Sequence, residues 1–402
     1  MTVRRYYTES YTQRFASRIE QATSLAGRPA AILDETWFYP TSGGQPHDTG
    51  RLGAAGVVDV TVREEDGAVL HLLDTPLEPG PVEGTIDWTR RYDHMQQHTG
   101  QHILSQAFQR LADAPTIGFH LGAERVSIDL GREALSDAQV ADAESLANEV
   151  VSGNAGVRAW FPGEEELRGL ALRKQPDVRG PLRVVAIGDF DLSACGGTHV
   201  AGSAEVGLIA VQRSERLKRG TRIEFLCGAR ARADYARKHA ILRGLAGALT
   251  CAPAELGESV ARLQQALQEA RRSLAGYQER DLDSEADRLL QGALPGAGFL
   301  VVRAAWEDRP VEQVKGLALR LTERQGMVTL LGVAGPRTQL LFGRSEDVAV
   351  DLKAVFDRAL AQLGGGRGGG ARLWQGAAGA ASLEVLEGVL TEAAATLARG
   401  PA

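Results

Sequence analysis

Cysteine is scarce in this sequence, with three among 402 residues. That is too few for a disulfide framework in a chain of this length, and it points to a reducing compartment. Long apolar runs are missing too: none approaches the ~20 residues of a membrane span. The opening MTVRRYYTES carries no apolar stretch behind its arginines, so no secretory signal is expected. Aromatic residues make up 5% and the formal net charge is −6. With no global basic signature, any nucleic-acid role has to rest on a local patch. Secreted, transmembrane and collagenous classes are excluded, and the expected compartment is the cytoplasm.

What is present is ordinary globular material, 44% hydrophobic and 24% charged, enough for a core and for two or three domains. The expected class is α+β, in four segments. Residues 1–90 read as a β-barrel or sandwich, because short apolar stretches (Ala30–Leu33, Val57–Val62, Val69–Leu73) alternate with turn clusters such as Ser42-Gly43-Gly44. In 91–228 helix and strand patterns interleave. Ile103, Leu104, Ala107, Phe108 and Leu111 recur at helical spacing and predict a helix over Tyr92–Leu111. A capping box at Ser136–Gln139 predicts a second helix to about Val151. Strands are expected at Val126–Leu130, Val157–Phe161, Leu182–Ile187, Val206–Val211 and Ile223–Leu226. Residues 229–291 read as a helical connector. Its apolar positions Leu256, Val260, Leu263, Leu267, Ala270, Leu274 and Tyr277 follow the a/d pattern of a coiled coil that pairs within or between chains. Residues 292–402 read as an α/β unit interrupted by the glycine tract Gly364–Gly370.

Two short segments carry the chemistry. In His98-Thr99-Gly100-Gln101-His102 the histidines lie four apart, on one helix face. In Cys195-Gly196-Gly197-Thr198-His199 the spacing is the same, but the two glycines favour a turn. Three imidazoles and a thiolate suit one tetrahedral zinc ion per chain. The metalloprotease motif needs a Glu where Thr99 stands, and the nucleobase-deaminase signature is missing as well. Cys227 and Cys251 have no histidine nearby in sequence and read as structural.

These residues resemble the zinc site of the alanyl-tRNA synthetase editing-domain family, whose free-standing members are known as AlaX. Tyr39-Pro40-Thr41-Ser42-Gly43-Gly44-Gln45-Pro46 is similar to the glycine-rich motif of that family's N-terminal barrel. Arg90–Met95 and Arg219–Glu224 also fit, so the resemblance spans about residues 1–228. The helical stretch and the glycine tract resemble the synthetase's C-terminal region, with its DHH-associated domain, which makes this a long-form member without an aminoacylation core. Ser42 and Thr41 depart from the commoner glycine and acidic residue of the motif, and Ala371–Gln375 departs after the tract.

The resemblance implies hydrolysis of the ester in alanine tRNA mischarged with serine or glycine. It assigns zinc to His98, His102, Cys195 and His199, and substrate binding to Thr41, Gly43, Gly44 and Gln45. Gln45 and Thr99 are the expected water or substrate contacts. An alternative is a tRNA-binding module with a structural zinc and no turnover, or a deacylase for another aminoacyl-tRNA. For tRNA contact the expected residues are Lys218, Arg219, Arg222 and, in the glycine tract, Arg367. The first three fall in a window from Arg213 to Arg243 with ten basic and three acidic residues, a local excess of +7. A homodimer through the coiled coil or the C-terminal unit is a further expectation.

Overall fold

A computed structural model describes residues 2–123, 125–174, 181–366 and 368–399. The chain separates into two compact units, Met1–Ala248 and Leu249–Ala402. None of the described helices is long and apolar enough to cross a membrane.

The first unit opens with six strands that close into a barrel: β1 (Arg14–Leu25), β2 (Arg28–Leu33), β3 (Gly50–Leu52), β4 (Ala55–Val62), β5 (Val69–Leu73) and β6 (Gly80–Ile86), in the order β1-β2-β5-β4-β3-β6. Phe15, Ile19, Leu33, Val57, Val60, Val69 and Leu73 fill its interior. Full closure leaves no unpaired strand edge. β1 has no simple alternation because its pairing with β2 shifts register between Ile19 and Gln21.

Helix α1 (Trp88–Ala112) follows. Its N-cap is Asp87, whose carboxylate accepts from the Arg90 amide, and it ends at Asp113 in the left-handed region (φ 43°) ahead of Pro115. Met95, Ile103, Leu104, Ala107 and Phe108 of α1 anchor the core of this region. Against them lies a four-stranded antiparallel sheet built from β7 (Thr116–Leu121), β8 (Val126–Leu130), β12 (Ile209–Leu217) and β13 (Gly220–Cys227), in the order β12-β13-β8-β7. Gly100 is what lets α1 come this close, since a Cβ there would sit 2.3 Å from the Cys227 sulfur. Helix α2 (Asp137–Ser152) starts with the Ser136–Gln139 capping box. A three-stranded sheet, β9 (Val157–Trp160), β10 (Val184–Ile187) and β11 (Asp191–Ala194), leads into the cysteine loop. The strand expected at Val206–Val211 starts at Ile209 instead, because a 3-10 turn over Ser203–Val206 ends at Gly207 with φ 66°. Helix α3 (Gly228–Ala248) closes the unit.

In the second unit, helix α4 (Leu256–Gln291) precedes β14 (Leu300–Glu307), α5 (Val311–Thr322), β15 (Met327–Ala334), β16 (Gln339–Arg344), α6 (Leu352–Gln362), β17 (Leu373–Ala377) and α7 (Leu383–Ala398). Leu294–Pro295 and β14 to β17 form one sheet in chain order, parallel between β14 and β15 and antiparallel elsewhere. All eight residues of β15 are buried, as expected for a strand covered on both faces. One face packs on α6 and α7, the other on α5 and the end of α4. The stretch 229–291, expected as one connector, divides into α3 and α4, which fall in different units. Thr250 at φ 51° and Pro253 interrupt the helical backbone there. The a/d seam of α4 carries Val260, Leu263, Leu267, Leu274 and Tyr277 exposed.

Candidate metal centre

Many polar residues of α1 are buried with its apolar ones, and most of them find a partner within the protein. Gln97 bridges to Cys227 in both directions, Nε2 donating to its carbonyl at 3.0 Å and Oε1 accepting from its amide at 2.8 Å. Gln96 donates to the Glu205 carbonyl at 2.7 Å. These bonds lock the helix in rotation, which sets where His98 and His102 point.

The cysteine loop follows β11 without helical structure. Arg183 shapes it, donating to the carbonyls of Cys195 (2.9 Å) and Gly197 (2.8 Å). A Cβ on Gly197 would lie 2.2 Å from His98 Cε1 and 2.8 Å from Gln45 Oε1, so only glycine lets loop and helix meet here. The one ligand atom that each of His98, His102, Cys195 and His199 offers lies within 4.8 Å of all the others. The Cys195 sulfur is 3.3 Å from Nε2 of His98 and 3.3 Å from Nε2 of His199.

The other ring nitrogens are all engaged. His98 Nδ1 donates to Gln45 Oε1 at 2.7 Å and His102 Nδ1 to Asp191 Oδ2 at 3.0 Å, and His199 Nδ1 shares a hydrogen bond with the Thr99 hydroxyl at 3.1 Å. The acceptor oxygens of Gln45 and Asp191 place a proton on Nδ1 of His98 and His102 and turn their Nε2 toward the cluster. Burial pushes the Cys195 thiol up, but the facing imidazoles of His98, His199 and His102 outweigh it and hold it well below the usual range. A thiolate with three imidazoles fits zinc, and the buried, oriented donor set gives that fit a structural basis.

Two expected contacts turn out to be braces. Gln45 is fully buried, and its amide is taken up by His98, by the Thr198 amide (3.1 Å) and by the Thr198 hydroxyl (2.8 Å). Thr99 is also fully buried, bonded to His199 and to the Val200 amide. Gln45 thus bonds to His98 and Thr99 to His199. Gly43 (φ 55°) and Gly44 (φ 84°) are the two central residues of a tight turn closed by paired Ser42–Gln45 backbone bonds. That turn sends Gln45 inward. Thr41 stays exposed, its hydroxyl 3.1 Å from His47 Nδ1.

Of the cations expected to meet RNA, Lys218 and Arg219 sit exposed at the tip of the β12–β13 hairpin. Arg222 makes a two-pronged pair with Asp129 (2.7 and 2.8 Å). Arg213, Arg237 and Lys238 pair with Glu215 and Asp234, acids the local excess already counts, while Arg216 and Arg222 find partners outside the window in Glu133 and Asp129. Arg367 lies outside the described residues.

Sequence reasoning missed Asp191, Arg183 and the fully buried Arg91–Asp48 pair. Arg91 also donates to the carbonyls of Ser10 (2.8 Å) and Trp37 (2.5 Å), tying α1 to the barrel. The signal available for Asp191 was the general need of a metal-binding histidine for an acceptor on its second nitrogen.

Residues 182–224 match the family described as the threonyl and alanyl tRNA synthetase second additional domain. The chain is 30% identical to the alanyl-tRNA editing protein AlaX-L of Pyrococcus horikoshii, over 96% of this chain and 97% of that one. It is 35% identical to the alanyl-tRNA editing protein Aarsd1 of Bos taurus over 58% of this chain and 53% of the relative. The alanine–tRNA ligase of Pyrococcus furiosus matches at 30% over 82% of this chain but 37% of its own length. Among solved structures, the C-Ala domain of Aquifex aeolicus alanyl-tRNA synthetase aligns with 25% of the chain at 24% identity and a TM-score of 0.23.

Proposed function

The chain belongs to the family of the alanyl-tRNA editing protein AlaX-L, and from that premise we propose that it hydrolyses the ester of alanine tRNA mischarged with serine or glycine. The observation that carries this reading is the cluster of His98, His102, Cys195 and His199, with every imidazole braced through Nδ1.

Such an activity has a physical rationale. A pocket shaped for alanine rejects glycine or serine poorly, because the differences are one methyl or one hydroxyl. A second site that hydrogen-bonds the serine hydroxyl rejects alanine, which would leave that site's polar groups unpaired. The exposed Thr41 hydroxyl is the group we assign to this test. Zinc held by the four residues would supply a fixed positive charge and Lewis acidity beside the ester. Gln45, Asp191 and Thr99 keep the imidazoles aimed, and Arg183 holds the cysteine loop against them. The C-terminal unit is read as a DHH-associated-type domain. The exposed seam of α4 supports pairing with a second copy of the chain. A thiol kept reduced for metal binding agrees with a cytoplasmic setting.

Four protein donors also suit a closed structural site, which favours a second reading, tRNA binding without turnover. Deacylation assays on serine, glycine and alanine esters of alanine tRNA decide between them. Loss of serine with alanine spared, abolished by Cys195→Ala and relaxed by Thr41→Val, supports editing. A zinc-loaded wild type that binds the tRNA and hydrolyses none of the esters supports the second reading.

A further inference from the structure

The metal-site histidines on α1 continue a longer stripe. Arg90, His94, His98 and His102 follow one another at intervals of four, each step about 6 Å along the helix axis. The first two have no part in the metal cluster, and both are unusual.

His94 is only 2% exposed, and its buried Nδ1 has no hydrogen-bond partner among the described residues. Such an unpaired buried polar atom calls for an explanation. Burial pushes its pKa down to about 3, and the positive charges of Arg90, Arg230, Arg91 and His47 add to the effect. The ring is therefore a neutral imidazole in a cationic setting.

Three of those neighbours are already occupied. Arg91 is paired with Asp48, Arg230 with Asp93 (Nε to Oδ1 2.8 Å), and His47 with Asp59 (3.0 Å). Arg90 differs. Its Nε donates to the His47 carbonyl at 2.9 Å, which fixes the guanidinium, while its two Nη groups have no partner among the described residues. It is half-buried. A fixed, uncompensated guanidinium beside an unpartnered imidazole is a donor set in want of an anion. Beyond Arg230 the surface opens into a groove of about 660 Å³ lined by Phe225, by Arg230, and by Arg125 and Arg237 with their partners Glu224 and Asp234.

We propose that Arg90 and His94 bind a phosphodiester of the single-stranded 3′ end of the substrate RNA, next to the metal centre on the same helix stripe. The inference rests on the reading of the site as an aminoacyl-RNA deacylase and adds what holds the RNA backbone. With the ester at His98 and His102, the neighbouring phosphate falls one or two helical turns toward the start of α1. The groove past Arg230 then receives the nucleotides that follow.

The test compares two serine esters: a hairpin RNA with a short single-stranded 3′ end, and adenosine carrying serine on its ribose, which has no phosphate. The ratio of KM for the RNA to KM for the adenosine ester is measured for wild type, Arg90→Gln, Arg90→Lys and His94→Gln at equal zinc loading. Arg90→Gln is expected to raise the ratio roughly tenfold, the low end for a hydrogen bond to a charged group. It should also lower the salt slope by about 0.7, one phosphate contact on a single strand. Arg90→Lys, which keeps the charge, should recover most of that slope. A ratio and a slope unchanged in Arg90→Gln overturn the proposal. If wild type cleaves neither ester, the deacylase reading fails by itself. Binding of the uncharged hairpin then decides on the phosphate site: a tenfold loss in Arg90→Gln upholds it, and equal affinity overturns it.

Discussion

Gln45 Oε1 accepts the Nδ1 proton of His98 at 2.7 Å while also accepting from the Thr198 amide at 3.1 Å. One barrel residue thereby orients an imidazole from the helix and fastens the loop that carries Cys195 and His199. The bond is long-range in sequence, and it joins the three segments that have to meet for a metal to bind.

Removing that brace should weaken the metal without removing a ligand. Gln45→Ala and Asp191→Ala each free the ring of one histidine, and such changes typically cost roughly 10–100-fold in metal affinity. Chelator competition, followed by metal release from each variant, measures this. Affinity equal to wild type in both would mean that the imidazoles are held by packing alone.

Gly197 has no room to grow. A methyl group there would sit 2.2 Å from His98 Cε1 and 2.8 Å from Gln45 Oε1, so Gly197→Ala has to push the loop off the helix. The expected result is a stability loss of roughly 1–3 kcal/mol together with lost zinc loading. Gly196→Ala is the control, because its nearest neighbour is Tyr7 Cε1 at 3.8 Å. Urea unfolding and zinc content on the two variants read out the difference.

His71 makes the barrel sensitive to acid. It is fully buried, donating from Nδ1 to the Ala31 carbonyl (3.0 Å) and accepting at Nε2 from the Thr36 hydroxyl (2.7 Å). Burial pushes its pKa down to about 4. Between there and the ordinary value of about 6.5 the unfolded chain binds the extra proton, so stability is full above this window and falls as pH drops through it. From pH 7 to pH 5 the loss from this residue is about 2 kcal/mol. His71→Gln should flatten the pH dependence of urea unfolding by that amount; an unchanged slope would show that His71 does not carry it.

Much of this architecture was legible in local pattern. The α1 helix announced itself through Ile103, Leu104, Ala107 and Phe108, and the strand Val69–Leu73 through its apolar run between turns. The four metal-site residues stood out because each pair has a spacing that only makes sense chemically. What was not legible depends on contacts distant in sequence. Strand β1 is half solvent-facing and bulged, so its period was blurred. Asp191 is one acidic residue in a short strand, and nothing local ties it to His102, 89 residues away. The motif around Gln45 was visible, but whether its amide faces water or an imidazole is decided by the turn at Gly43 and Gly44.

The seam on α4 has its own consequence. Leu263, Leu267 and Leu274 are each at least half exposed, an apolar stripe that a second helix would cover. Leu267→Glu with Leu274→Glu should convert a dimer to monomer in sedimentation experiments while leaving the far-ultraviolet circular dichroism intact. A wild type that sediments as a monomer across the concentration range would remove the pairing.

The cations of the β12–β13 hairpin should separate by their partners. Lys218 and Arg219 lie exposed at the hairpin tip with no ion pair among the described residues, so both are available to phosphate. Arg222 is held by Asp129 through two bonds on the sheet, and releasing it would leave that carboxylate uncompensated. Charge reversal of Lys218 and Arg219 is therefore expected to weaken tRNA binding. It should also reduce the dependence of log affinity on log salt by about 0.9 for each duplex phosphate that is no longer neutralised. Arg222→Gln should leave that slope unchanged and show its effect in thermal stability. Equal slopes in all three proteins would take the hairpin out of the RNA footprint, whereas a reduced slope in Arg222→Gln would mean that the Asp129 pair opens when RNA binds.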